Sequence, residues 1–157
     1  MDEVSAKRAA QEYLAARLSD EAQEYEDHLN LEAAIALGSR VWKRLVDTVM
    51  TQCREWNGVT NEQTLTCKET ALGDLRIRCT GKSHQMIVHY DSRRRLVIIK
   101  NTARPEDEPD TILHIEGYAT DGGRDAHLVR NNAPVNLEMM ILGHLRVLAG
   151  LSRRADG

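Results

Sequence analysis

Arg95-Leu96-Val97-Ile98-Ile99-Lys100 is the stretch on which the fold turns. Four consecutive apolar residues in a strand place side chains on both faces of a sheet, so the segment predicts a central strand shielded on each side. Residues 84–90 precede it across the polar turn Asp91-Ser92-Arg93-Arg94. With that turn centred between Ser92 and Arg93, Met86, Val88 and Tyr90 share a face with Val97 and Ile99. Ile87, His89, Leu96 and Ile98 then take the other face. Three covers are available for these two faces: a long N-terminal helix, a C-terminal helix, and a second copy of the chain.

Outward from this centre the period-2 pattern repeats. Residues 64–71 and 75–80 alternate polar and apolar positions, and a three-residue loop, Leu72-Gly73-Asp74, joins them into a hairpin with Cys67 opposite Cys79. Downstream, Pro105 and Pro109 bracket Glu106-Asp107-Glu108 in a solvated acidic connector. It lacks the alternation and glycine of a calcium loop. Residues 112–118 alternate again, turn at Asp121-Gly122-Gly123-Arg124 and return through 126–130.

The flanks are helical. Residues 2–27 are rich in Ala, Glu, Gln, Arg and Lys, with a narrow stripe of Leu14, Leu18, Ala22, Tyr25 and Leu29 suited to a single partner helix. Ser19-Asp20 has the chemistry of a cap between two helices, and Gly38-Ser39 of a kink. A stronger amphipathic pattern runs from Leu29 to Trp56 and stops at Asn57-Gly58. Residues 134–151 form an apolar helix with Asn132 or Asn136 as cap. The prediction is one α+β domain over 1–157: a helical arm (1–27), a core helix (28–57), an antiparallel meander of about six strands (62–130) and a C-terminal helix packed on the sheet (134–151).

Composition bounds the function. With 157 residues and 41% hydrophobic content the chain can bury a core, but 4% aromatics and no Phe leave few surfaces on which bases stack. No apolar run reaches the roughly 18 residues of a membrane span, and Cys53, Cys67 and Cys79 form neither a disulfide framework nor a zinc ribbon, so a cytoplasmic chain is expected. Charge is uneven. Residues 1–67 carry 7 basic and 12 acidic side chains, residues 68–100 carry 8 and 3, and residues 101–157 carry 6 and 9. The basic middle reads as internally neutralised or solvated, with phosphate contact through Arg76, Arg78 and Arg93 as its functional alternative.

One constellation carries chemistry. With the last hairpin centred between Gly122 and Gly123, His127 lies opposite Tyr118 and diagonal to Glu116, a carboxylate, phenol and imidazole set for proton transfer; His114 farther along would add a metal ligand. Its spacing is equally that of a polar outer face. The remaining histidines are scattered, and no phosphate loop, nucleophile elbow or zinc-helix motif occurs. No cofactor and no metal site is expected. The sequence favours a non-enzymatic, bacterial-type cytoplasmic domain that binds a protein partner or small apolar ligand as a homo-oligomer. A small enzyme or metal site on Glu116, Tyr118 and His127 is the first alternative, and non-specific nucleic-acid binding through strands 76–100 the second.

Overall fold

One helix, α1 (Glu3–Thr60), takes up 58 residues. The computed structural model describes residues 3–152; the start of the expected arm helix and the last residues of the tail lie outside that range. At 1.5 Å per residue α1 is about 87 Å long. The two expected helical segments are therefore continuous. Ser19 and Asp20 do not interrupt the helix, because good helix formers surround them and Arg17–Glu21 (3.3 Å), Gln23–Asp27 (2.9 Å) and His28–Glu32 (3.0 Å) pair at i,i+4. Gly38 does not divide it either. A methyl group there would press on the Tyr90 hydroxyl, so glycine makes room for a ring that stacks on Trp42 (centroids 5.5 Å, 15°). Burial raises the Tyr90 pKa above its ordinary value.

The helix runs past Asn57-Gly58 and stops where Asn61 takes φ 56°. Asn57 instead ties the helix to the first strand, since its amide donates to the Leu65 carbonyl and accepts from the Leu65 N–H, both at 2.8 Å.

Seven antiparallel strands follow in an unbroken meander: β1 (Leu65–Glu69), β2 (Leu75–Cys79), β3 (Gln85–Asp91), β4 (Leu96–Asn101), β5 (Thr111–Thr120), β6 (Gly123–Arg130) and a two-residue β7 (Ala133–Pro134). The final helix is α2 (Leu137–Leu148). Asn136 is its N-cap, accepting from the Met139 N–H at 3.1 Å. At the other end Gly150 has φ 85° while its N–H reaches the Val147 carbonyl and that of Leu151 the Arg146 carbonyl, a Schellman stop. Gly150 thus ends the helix.

Face assignments hold on every strand, whereas registers differ by two. Cys67 pairs with Ile77, and Leu65 with Cys79, because the first loop is Ala71-Leu72-Gly73. Val97 pairs with Tyr90 because Asp91 accepts from the Arg93 and Arg94 N–H groups (3.1 Å each) and Arg95 sits at φ 56°, outside the strand. A turn displaced by one residue shifts pairing by two and leaves each side chain on its face.

Both helices lie on one face of the sheet. Val41, Leu45, Val49 and Cys53 of α1 and Ile141, Leu145 and Leu148 of α2 join Leu75, Ile77, Met86, Val88, Val97, Ile99 and Leu113 in a single core. The expected cover of β4 on both flanks is not found among the described residues. On the outer face Ile98 lies between His89 and Ile112, and Leu96 beside His114; cross-strand neighbours leave both half-buried.

Gly117 marks the closest approach of helix to sheet. A Cβ there would run into the Asn30 carbonyl and the Ala33 methyl, so α1 rests directly on the β5 backbone. Beside it Arg124 on β6 reaches Asn30 and, at 2.7 Å, Glu26. These contacts form the last clamp before α1 leaves the sheet.

Candidate functional site

Beyond that clamp α1 stands clear. Every side chain from Ser5 to His28 is exposed, a rod of about 36 Å. It is not uniformly polar: Tyr13 is 69% exposed, Leu14 53%, Leu18 57% and Tyr25 63%. The apolar line to which Leu14, Leu18 and Tyr25 belong begins in the core. Leu29, Ala33, Leu37, Val41, Leu45, Val49 and Cys53 recur at steps of four, the i±4 ridge of a helix, which winds about 40° per step around its axis. Leu29 and Leu37 are half-buried and the other five buried against sheet and α2. N-terminal to Leu29 the line runs on through Tyr25, Ala22, Leu18 and Leu14 without cover.

Glu116, Tyr118 and His127 are brought together by the β5–β6 hairpin, in a register shifted from expectation. Glu116 is directly opposite His127 and Tyr118 opposite Asp125, because the turn is Asp121-Gly122. The Tyr118 and His127 rings stack at 4.2 Å and 22°, and the Tyr118 hydroxyl donates to Asp125 at 3.4 Å. Glu116 borders a surface cleft of about 360 Å³ with His114, Asp27, Arg94 and Arg95, while Tyr118 and His127 are not part of its wall. Among the described residues no three His, Cys, Asp or Glu are arranged to hold a metal ion. The trio is a set of neighbours on an open sheet face.

The basic residues divide. Arg76 and Arg78 project from the outer face of β2, where Arg78 donates to Gln85 at 3.2 Å and both border a shallow depression with Lys68. Arg93 belongs to the β3–β4 turn, beyond the end of β2 at which Asp74 meets His89 (2.6 Å). It does not extend the Arg76–Arg78 patch.

Cys67 faces α1, its thiol neighbouring that of Cys53. Interaction with the Cys67 thiol and burial push Cys53 far above the usual thiol range, and the same interaction lowers Cys67. The expected neighbour, Cys79, pairs with Leu65 instead.

Sequence reasoning passed over a polar group inside the core. Asn101, Thr111 and His144 are 9%, 1% and 7% exposed, and they meet where α2 crosses the ends of β4 and β5. Each sits in core phase: Asn101 in line with Val97 and Ile99, Thr111 with Leu113 and Ile115, His144 in a row with Ile141, Leu145 and Leu148. That phase was the signal in the sequence. Among the described residues no helix is long and apolar enough to cross a membrane. No family model, curated protein or solved structure matches this chain.

Proposed function

We propose that the protein is a non-enzymatic association module whose N-terminal arm pairs with the arm of a second copy. One observation carries this reading: the apolar ridge that buries α1 against the sheet continues through Tyr25, Leu18 and Leu14 onto a stretch that the chain leaves bare. Removing such side chains from water is the main source of association energy for helices.

Charge favours a second copy in antiparallel orientation. Residues 1–18 hold Lys7, Arg8 and Arg17 against Asp2, Glu3 and Glu12, whereas residues 19–32 hold Asp20, Glu21, Glu24, Glu26, Asp27 and Glu32 and neither Lys nor Arg. A parallel pair sets the six carboxylates beside their counterparts. An antiparallel pair in which Leu14 and Leu18 of one arm meet Leu18 and Leu14 of the other sets Glu24 and Glu26 beside Arg8 and Lys7.

Size-exclusion chromatography with light scattering tests this. At about 50 μM the chain is expected at twice its 17.7 kDa mass. The double variant Leu14→Glu/Leu18→Glu is expected at the single mass, with the near-ultraviolet signal of the Trp42–Tyr90 stack kept. A wild-type monomer, or a variant that still pairs, contradicts the proposal.

A further inference from the structure

A cleft of about 310 Å³ opens between α2 and the start of β5, and Thr111 and His144 of the buried polar group form part of its wall. Its hydrogen bonds can be assigned in sequence. The Ala103 N–H donates to Asn101 Oδ1 at 3.1 Å, which fixes the amide so that Nδ2 faces His144. Nδ2 donates to the His144 carbonyl at 3.0 Å and lies 3.4 Å from His144 Nδ1, an arrangement that suits an accepting Nδ1. In neutral imidazole the proton then sits on Nε2, which donates to Thr111 Oγ1 at 3.4 Å. Thr111 Oγ1 also accepts from Arg104 Nη1 at 3.0 Å. With both lone pairs taken, its own hydrogen has no acceptor within reach among the described residues, and Thr111 borders the cleft.

Two further donors line the same space. Arg104 is held by Glu108 through Nε (2.7 Å) and Nη2; with Nη1 on Thr111, two of its five N–H groups stay unassigned. Arg130 also lines the cleft and has no carboxylate partner among the described residues, and no acidic residue lines the wall. The opposite side is apolar: Met139, Met140 and Val147. The Thr111 hydroxyl hydrogen, the two unassigned N–H groups of Arg104 and the Arg130 guanidinium line the same space beside an adaptable apolar surface.

We infer that this cleft binds a small organic carboxylate, its charged end on Arg130, Arg104 and the Thr111 hydroxyl and its apolar body against Met139, Met140 and Val147. This goes beyond arm pairing and does not depend on it, since no arm residue borders the cleft. The assignment predicts a donor-only end that takes an anion and an apolar wall that rewards a hydrocarbon tail.

Hexanoate is the probe, followed by backbone amide NMR on the full chain, with 1-hexanol and inorganic phosphate as controls. Saturable shifts are expected at Thr111, Gly143 and His144. Arg130→Ala, an exposed change, is expected to weaken binding about tenfold. Thr111→Val, which keeps shape and removes the O–H, is expected to weaken it with Arg130 intact. Hexanol should shift these amides far less. Absence of saturable shifts up to about 20 mM hexanoate, indifference to Arg130→Ala, or equal binding of hexanol overturns the site. Phosphate binding as tight as hexanoate overturns the carboxylate class. The Leu14→Glu/Leu18→Glu variant should bind hexanoate as the wild type does, so failure of arm pairing and failure of this cleft are read separately.

Discussion

Gly117→Val is expected to destabilise the protein by about 3 kcal/mol or more. The inner face of β5 leaves no room at this position: even a methyl group meets the Asn30 carbonyl and the Ala33 side chain, and backbone cannot swing aside as a flexible side chain does. α1 must lift from the strand, and with it go the burial of Ala33 and Ala34 and the Arg124 clamp on Glu26 and Asn30. For a chain of this length the melting temperature should fall by about 6–12 °C. Gly58→Ala is the matched control. It lies in the last turns of the same helix with nothing within 4 Å of the added group, so it should be neutral or stabilising by up to about 1 kcal/mol. Urea denaturation of the two variants checks both signs, and a loss under about 1 kcal/mol for Gly117→Val would contradict the close seat of α1 on β5.

The second large effect is expected at Asn101→Ala, about 2–4 kcal/mol. Asn101 is at once the acceptor for the Ala103 N–H and the donor to the His144 carbonyl and ring. Truncation leaves these groups without their partner, and an unmet buried polar group costs more than the bond itself contributed. Arg104 and Glu108 stay paired, so the damage should centre on the α2–β4 junction. Amide exchange checks that localisation: protection should drop at Leu145 and Leu148 before it drops at Ile77 in β2. Equal loss everywhere would mean that the polar group does not hold α2 in place.

Much of this fold was legible from side-chain period. Leu65, Leu75, Ile77, Met86, Val88, Val97, Ile99 and Leu113 all point inward as alternation requires, because a half-buried strand admits only one phase. Registers were not legible. Their turn centres depend on local devices such as the Asp91 side chain capping two amides and Arg95 accepting positive φ. Continuity of α1 was hidden for a related reason. Gly38 resembles a break until Tyr90, far along the chain, supplies the ring that needs its space. Four apolar residues in β4 overstated the cover, since Leu96 and Ile98 are shielded only by neighbours in their own sheet.

The candidate surfaces were legible unevenly. Leu14, Leu18 and Tyr25 stand out in the sequence because their spacing is helical and their surroundings charged. Glu116, Tyr118 and His127 share a face as alternation demands, with partners displaced by the turn. Asn101, Thr111 and His144 were each visible as polar residues in core phase. That Thr111 and Asn101 meet one histidine follows only from where α2 crosses the strand ends.

Everything about association rests on α1 remaining one straight helix beyond the sheet. Spin labels at Gln11 and Arg40, both on exposed positions, measure this directly by pulsed dipolar spectroscopy in protein diluted with unlabelled chain. A continuous helix predicts a single distance near about 43 Å. A distance under about 30 Å, as for an arm folded back at Ser19-Asp20, would contradict it.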